Sequence, residues 1–190
     1  PDPFAKYQQG DAVEVRFRGF GFTETERVAA INVGGDSNGT WSYDNFQVTV
    51  DFTSDLNDRE IDTSGVTNPA PDAVYNTFAE ADTGENGFLY DIPLTDGDYE
   101  VRLHFVADTF SSGGDVFDIL LNDTLVENDF DPRALVNRYA AITRTYSVNL
   151  AGGEGLSVEL ENENGKGKLF GIEIFKTNNG GASDPAADVA

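Results

Sequence analysis

Residues 88–110 read FLYDIPLTDGDYEVRLHFVADTF, and this stretch decides the fold. Residues 99–105 alternate between apolar and polar side chains, which is typical of a β-strand with one face on a core and the other nearer solvent. Residues 88–94 form a first apolar arm, and residues 95–98 contain the glycine that a tight turn needs. The stretch therefore predicts an antiparallel β-hairpin, followed by a polar loop around Phe110 that we expect to belong to the working surface.

Short apolar or alternating segments recur along the rest of the chain and predict further strands. They lie at residues 12–20, 28–33, 46–52, 74–79, 116–121, 124–130, 139–150, 156–160 and 169–175. No segment of useful length has a helical period, and many short strands separated by turn residues predict an all-β fold, either an antiparallel sandwich or a barrel. Residues 54–71 are polar and have no period, so we predict a loop there.

The two ends of the chain differ in composition from its middle. Residues 1–11 are polar and contain two prolines, which predicts an N-terminal lead-in. Residues 177–190 are rich in Gly, Ala and Asp with nothing to bury, which predicts a flexible linker or tail. Residues 12–176 suffice for one β domain with a well-formed core but not for two. We therefore expect a single module that is covalently linked to other domains of a larger protein.

The composition excludes several classes of function. The chain carries 34 acidic and 12 basic residues, a formal net charge of −22, and such a surface repels nucleic acids and anionic membranes. No apolar run is long enough for membrane insertion. The absence of Cys excludes disulfides, a thiol nucleophile and thiolate metal sites. Because the acidic residues are spread along the whole chain, they favour solubility in a saline environment over cation binding, and a saline-environment microbe is the source that this hypothesis implies.

Six segments resemble motifs of the malectin family. They are Ile31–Gly35 (INVGG), Val74–Tyr75, Phe88–Pro93, Gly97–Phe105, Val116–Asn122 and Gly171–Ile174. Each alone is a common strand or turn pattern, but their order and spacing over residues 28–176 are specific. The resemblance implies a galactose-binding-like jelly roll, an antiparallel β-sandwich that binds carbohydrate and is not catalytic.

The resemblance also implies a sugar site of loop aromatics and a carboxylate at one end of the sandwich. By motif position its members are Tyr43, Tyr75, Phe110 and Glu163, with Asn164 beside the last. Two departures from the family pattern are Thr109, which replaces one of a pair of aromatics, and Thr77–Glu80, which lacks the family's arginine. These departures indicate a glycan different from the glucose disaccharide that animal malectin prefers.

The residue types support the same kind of site, because sugars bind to flat apolar rings and planar hydrogen-bonding groups. The candidate rings are Trp41, Tyr43, Tyr75 and Phe110. The candidate hydrogen-bonding groups are Asp44, Asn76, Asp108, Glu163 and Asn164. For the rings, packing in the core remains an open alternative. We expect a neutral glycan as the partner, because the net negative charge disfavours sulfated or uronic sugars.

Other chemistry has little support in the sequence. His104 is the only histidine, so no second one can complete a metal pair, and no G-x-S-x-G motif surrounds any serine. A structural role for His104 is favoured, and we expect no catalytic site, at most an accessory module of a polysaccharide-degrading enzyme. No cofactor is required; a structural Ca²⁺ is a further hypothesis, because residues 51–58 are rich in oxygen ligands although they lack the EF-hand spacing.

Two functions therefore stay open. The first is a carbohydrate-binding module, extracellular or on the cell surface. The second is a structural or adhesive spacer of a larger extracellular protein, with no sugar site. Burial of Tyr75 and Phe110 would favour the spacer, whereas their exposure around one concavity would favour sugar binding.

The net negative charge of the chain leads to a testable prediction. Because salt screens the repulsion between acidic side chains, we expect the midpoint of thermal unfolding to rise between dilute buffer and about 1 M NaCl. Calorimetry or circular dichroism at several NaCl concentrations measures this. An equal midpoint in dilute buffer and in molar salt would contradict an adaptation to salt.

Overall fold

The computed structural model describes residues 23–48, 51–82 and 84–179, and within them nearly all regular structure is β. The strands are β1 (Thr23–Asn32), β2 (Asp51–Asp55), β3 (Thr77–Ala81), β4 (Gly87–Ile92), β5 (Gly97–Val106), β6 (Val116–Leu121), β7 (Thr124–Phe130), β8 (Ala141–Leu150), β9 (Leu156–Asn164), β10 (Lys168–Leu169) and β11 (Gly171–Asn179). A 3₁₀ turn (Val74–Asn76) and one helical turn, α1 (Pro132–Leu135), are also present. Neither helical piece in the described residues has the length or apolar character to span a membrane. The strand predicted at residues 12–20 lies outside the described residues.

Two four-stranded sheets form a sandwich. The first has the order β1-β11-β5-β8 and the second the order β4-β9-β6-β7, while β10-β3-β2 form a smaller third sheet. The main core lies between the four-stranded sheets, where the ring of Phe105 packs at centroid distances of 4.9 Å from Phe130 and 5.7 Å from Phe117. The prediction of an all-β antiparallel sandwich is confirmed.

The prediction that residues 88–110 form a β-hairpin is wrong. Both strands exist, but they do not pair with each other. Strand β4 pairs with β9 in the second sheet, whereas β5 pairs with β11 and β8 in the first. The turn between them therefore crosses from one sheet to the other. The alternation of β5 is confirmed, since its apolar residues from Tyr99 to Phe105 are buried in the main core. A short turn between two apolar strands fits both a hairpin and a crossing, so the sequence alone does not separate them.

Two further boundaries differ from the sequence predictions. Of the strand predicted at 46–52, residues 46–48 run along β4, with Val48 N donating to Leu89 O at 3.0 Å, whereas residues 51–52 belong to β2 and pair with β3. Strand β11 reaches Asn179, four residues beyond the last strand predicted at 169–175.

Strand β7 forms an outer edge of the second sheet and is irregular. Its pairing with β6 shifts register twice, between Phe117 and Ile119 and between Ile119 and Leu120. Asp129 in this strand has a φ of 54°, and its N–H donates to the carboxylate of Asp118 at 2.7 Å. The edge is therefore bulged, and most of its side chains are exposed or half-buried.

A second, smaller core covers part of the outer face of the first sheet. The predicted loop of residues 54–71 crosses this face and buries apolar side chains against it. The cluster contains Ala30, Trp41, Val66, Ala70, Val74, Tyr75, Phe78, Val106, Ala141 and Phe170, with Leu56 and Ile61 packed against it. The end of β5 is consequently buried on both faces. His104, which was predicted to lie nearer solvent, is wholly buried for this reason.

A chain of hydrogen bonds joins the covering loop to the sheet. Tyr75 accepts from the backbone N–H of Ala70 at 3.3 Å, and its hydroxyl lies 3.0 Å from Nδ1 of His104. Nε2 of His104 lies 3.1 Å from Oε2 of Glu173. Because a carboxylate only accepts, Nε2 carries the ring proton, and Nδ1 accepts from the Tyr75 hydroxyl. Burial lowers the pKa of His104, against the opposing effect of Glu173.

Glu173 is the charged end of this chain and is only 5% exposed. Its Oε1 accepts from Arg27 at 2.9 Å, and its Oε2 also lies 3.5 Å from Nη1 of Arg102, the residue directly opposite it on β5. Burial raises the pKa of Glu173, but the hydrogen bonds from His104 and Arg27 outweigh it and hold the pKa below its usual range. The buried charge is therefore matched by cations, without which it would cost several kcal/mol.

His104 makes the stability depend on pH near neutrality. Its pKa in the folded protein is lower than the unfolded value of about 6.5, so the unfolded chain binds the proton first and stability falls as the pH drops through 6.5. The slope is at most about 1.4 kcal/mol per pH unit, and it ends when the folded pKa is reached. Urea unfolding at about pH 7.5 and 5.5 measures this change.

The variant His104→Gln isolates the effect, because the chain contains no other histidine. We expect the loss of stability between these two pH values to be smaller in the variant than in the wild type. Glu173 does not interfere, because its lowered pKa removes stability only when the pH falls below the ordinary carboxyl range. Equal slopes in both proteins would show that His104 is not the titrating group.

Candidate functional site

Two glycines after β1 shape the first candidate surface. Gly34 has a φ of 70°, and a Cβ at this position would lie 2.3 Å from the carbonyl oxygen of Phe78. A Cβ on Gly35 would lie 2.4 Å from the side-chain nitrogen of Asn32. Only glycine allows this close approach to β3. The loop then returns along β1, where Ser42 N donates to Ala30 O at 2.8 Å, and so places Trp41 and Tyr43.

Tyr43 stands at the edge of a groove of about 470 Å³. We call it the Tyr43 groove; it is lined by Gly34, Gly35, Asp36, Tyr43, Asp44, Gln47, Thr53 and Thr77. Tyr43 is 55% exposed, so its ring is available to a ligand. The groove thus combines an aromatic ring, a carboxylate, an amide and hydroxyl groups.

Asp44 is the most constrained polar group of the groove. Its Oδ2 accepts from Gly34 N at 2.7 Å, from the Gln47 amide at 2.7 Å and from the Tyr90 hydroxyl at 3.0 Å. Its Oδ1 is buried and has no hydrogen-bond partner within the described residues. Burial raises the pKa of Asp44, partly offset by the hydrogen bonds from Gly34 and Tyr90. This oxygen therefore lacks the donor that a buried acceptor normally has.

Asn76 lies beside this groove. It lines a neighbouring pocket of about 710 Å³, rich in aspartate, that shares Thr77 with the Tyr43 groove. The Asn76 amide donates to Asp72 O at 3.2 Å, while its buried Oδ1 has no partner among the residues that the structure describes. Tyr43 and Asn76 therefore belong to one continuous stretch of surface around Thr77.

Two of the predicted ring platforms are not available. Tyr75 is wholly buried and Trp41 is 3% exposed, so neither presents a ring face to solvent. Both pack in the second core, each against the ring of His104, with centroids 5.6 Å and 5.4 Å away. The prediction that they stack on a sugar is corrected, because the covering loop of residues 54–71 lies over them.

Among the described residues, Phe110 is the most exposed aromatic side chain, at 83%. The guanidinium of Arg138 lies 3.6 Å from the centroid of its ring, and Arg138 also lies 4.3 Å from the ring of Tyr139. Nε of Arg138 donates to the backbone oxygen of Asp108 at 3.0 Å. One face of the Phe110 ring is thus held by a fixed cation, and its remaining surface is open. We call this arrangement the Phe110 platform.

The other predicted residues of the loop end surround this platform. Both oxygens of Asp108 accept from Lys168, at 3.2 and 3.0 Å, and Lys168 also binds Asp115 at 3.0 Å. Burial lowers the pKa of Lys168, but the two carboxylates outweigh it and raise that pKa. Glu163 and Asn164 are exposed, and the Asn164 amide donates to Gly113 O. Asp108 is therefore occupied by an ion pair, whereas Glu163 remains accessible.

The candidate residues thus form two groups. Asp108, Phe110 and Asn164 meet through the loop of residues 108–115, and Glu163 adjoins them in sequence. Tyr43 and Asn76 share the surface around Thr77. Sequence reasoning missed the polar residues Gln47 and Thr77, which complete the Tyr43 groove. No sequence signal marks them, because each is an ordinary polar residue whose role depends on the fold.

A third concavity lies on the outer face of the first sheet, beside the covering loop. We call it the sheet-face pocket; its volume is about 540 Å³, and it is lined by Thr25, Arg27, Thr40, Trp41, Asn68, Pro69, Ala70, Pro71, Glu100, Arg102, Thr145, Glu173 and Phe175. Sequence reasoning missed it, although Arg102 and Glu173 sit on the outward positions of strands whose inward residues are apolar.

The described residues form no metal centre. They contain no group of three or more His, Cys, Asp or Glu side chains arranged to hold a metal ion. In the oxygen-rich stretch that suggested Ca²⁺, Asp55 instead accepts from the backbone N–H of Asn57 at 2.6 Å.

Comparison with known proteins identifies the fold and the family. The plant receptor-like kinase FER is 25% identical, with a TM-score of 0.67 over 82% of this chain and 50% of that chain; a second FER structure contains the peptide RALF23 and LLG2. The ANXUR1 extracellular domain from Arabidopsis thaliana is 21% identical, with a TM-score of 0.68 over 81% of this chain and 49% of that chain. A β-glucuronidase from Bacteroides uniformis is 23% identical, with a TM-score of 0.58 over 77% of this chain and 18% of that chain.

The chain spans about half the length of these receptor structures. No curated protein matches its sequence. A family model for the malectin domain matches residues 27–181, which cover most of the chain and contain all the candidate residues described above. The protein belongs to the malectin domain family.

Proposed function

We propose that this malectin domain is a non-catalytic carbohydrate-binding module that holds a neutral glycan in the Tyr43 groove. The observation that carries the proposal is the exposed ring of Tyr43 beside the carboxylate of Asp44, which three hydrogen bonds hold in place in the lining of the groove. A pyranose stacks its C–H face on an aromatic ring and donates its hydroxyl protons to a fixed acceptor. Gln47 and Thr77 line the same groove; the Gln47 amide donates to Asp44 and to the Tyr90 hydroxyl and the Thr77 hydroxyl donates to Asn32, so both present acceptor oxygens to a ligand.

The Phe110 platform is a second contact surface of the same module. Its ring is held by Arg138 before any ligand arrives, so little entropy is lost when a sugar stacks on it. Asn164 and Glu163 are polar groups nearby. Two contact surfaces on one module strengthen binding to a long polysaccharide, because the second contact forms at a high effective concentration.

The proposed setting follows from the relatives. ANXUR1 is described as an extracellular domain, and the β-glucuronidase matches this chain over only 18% of its length. An extracellular module attached to other domains, in a receptor or beside an enzyme, accounts for both kinds of neighbour. The acidic surface disfavours an anionic glycan in this setting.

A spacer without a sugar site is the second candidate. The ion pair between Lys168 and Asp108, together with the burial of Tyr75 and Trp41, removes three of the predicted sugar contacts and favours it. The FER structure with RALF23 and LLG2 adds a protein ligand as a further possibility for such a surface.

The test is a glycan screen of the whole chain with and without CaCl₂, followed by titration of the bound glycan. We expect Tyr43→Ala to weaken binding at least about tenfold, or ~1.4 kcal/mol, because it removes the stacking ring. Asp44→Asn should also weaken it, because one acceptor oxygen becomes a donor. Thermal unfolding of each variant shows whether the fold is retained.

Phe110→Ala is the matched comparison, since it removes another exposed aromatic from a different surface. Leu125→Ala, an exposed apolar residue on β7, serves as the control that should leave binding unchanged. Loss of binding in Phe110→Ala but not in Tyr43→Ala would move the site to the platform. If no glycan binds, the spacer is the better account; dependence on CaCl₂ would reopen the question of a metal.

A further inference from the structure

The sheet-face pocket is independent of the Tyr43 groove, because the two share no lining residue. It forms where the covering loop ends, so that the remaining outer face of the first sheet is the floor and the loop residues 68–71 are one wall. Its volume of about 540 Å³ falls within the range of small-ligand sites.

The polar groups of this pocket are fixed in advance. Both oxygens of Glu173 are occupied by Arg27, Arg102 and His104, so Glu173 serves to position the two guanidinium groups. Arg102 uses only Nη1 in this bond, and its Nε and Nη2 make no hydrogen bond within the described residues. Several N–H donors are therefore oriented by a buried carboxylate and left for another partner.

The apolar part of the lining lies next to these donors. Phe175 packs under Arg102, with the guanidinium carbon 5.4 Å from its ring centroid. Pro69 and Pro71 are exposed on the loop wall. Trp41 is 3% exposed and belongs to the lining.

The charge of the lining selects the class of ligand. Two arginines, Arg27 and Arg102, are balanced by two glutamates, Glu100 and Glu173, so the formal charge of the pocket is zero. An anionic ligand would meet no excess of positive charge there, and the chain as a whole carries −22. A cationic ligand would be repelled by the guanidinium groups of Arg27 and Arg102. A neutral ligand with many hydroxyls and an apolar face matches both the fixed donors and the rings.

We propose that the sheet-face pocket is a second carbohydrate site, which holds one or two residues of a neutral sugar between Phe175 and the loop wall. The choice of a sugar as the ligand rests on the proposed function, whereas the location of the site rests on the geometry of the pocket alone. Added to the Tyr43 groove and the Phe110 platform, this pocket gives the module a third contact point, so that it binds several points of one polysaccharide or two separate strands.

Trp41 is the only tryptophan of the chain and reports on this pocket. The experiment records the indole N–H signal of ¹⁵N-labelled protein during titration with maltose, cellobiose, laminaribiose, xylobiose and mannobiose. We expect at least one of these disaccharides to shift the signal in the wild type and equally in Tyr43→Ala. A shift that disappears in Tyr43→Ala would place the sugar in the groove alone and overturn the second site.

Blocking variants locate the binding. Thr145→Tyr, at an exposed rim position on β8, should fill the pocket and weaken the titration at least about tenfold. Asn149→Tyr, exposed on the same face of β8 but outside the lining, should leave it unchanged. If Thr145→Tyr does not fold, Thr25→Tyr on the rim formed by β1 replaces it.

The outcomes separate the two proposals. An indole shift that persists in Tyr43→Ala and is lost in the blocking variant supports the sheet-face site, even if no glycan uses the groove. An indole shift that survives the blocking variant overturns the sheet-face site. Binding in the screen with no indole shift for any disaccharide overturns it too and leaves the Tyr43 groove standing. If no sugar binds at all, both proposals fail.

Discussion

The C-terminal end of strand β5 is buried on both faces, and the position of the covering loop depends on that constraint. The apolar side of β5 fills the main core, while its other side carries Arg102 and His104 under or beside a loop. Polar groups removed from water need partners, and here they find them in Glu173 and Tyr75. The resulting hydrogen-bonded chain fixes the covering loop to the sheet. Apolar packing alone would hold that loop less specifically, because a hydrogen bond fixes direction as well as distance.

The covering loop in turn decides which surfaces remain open. Trp41 and Tyr43 are two residues apart, yet one is buried under the loop and the other projects into the groove. The loop also ends in the middle of the sheet, which leaves the sheet-face pocket beside it. A single, mostly irregular segment therefore both buries Trp41 and Tyr75 and forms one wall of the sheet-face pocket.

The sequence predicted the local features of this fold better than its long-range ones. Alternation identified β5 and its buried face, because side-chain direction in a strand is a local property. The pairing of β4 with β5 was predicted wrongly, since the true partners, β9 and β8, lie between 35 and 74 residues away along the chain. Burial of Tyr75 could not be read from residues 54–71, whose few apolar side chains have no period. Exposure of Phe110 was easier to predict, because it sits in a polar loop after a strand.

The irregular edge at β7 has a consequence for how copies of the module meet. Copies of a domain that come close together expose their strand edges to one another, and a regular edge can pair with another chain. A second strand needs a regular row of backbone groups to add to, and β7 offers a row broken by two register shifts and carrying Glu127 and Asp129. The β7 edge of this domain is therefore a poor template for extending the sheet from one molecule into the next.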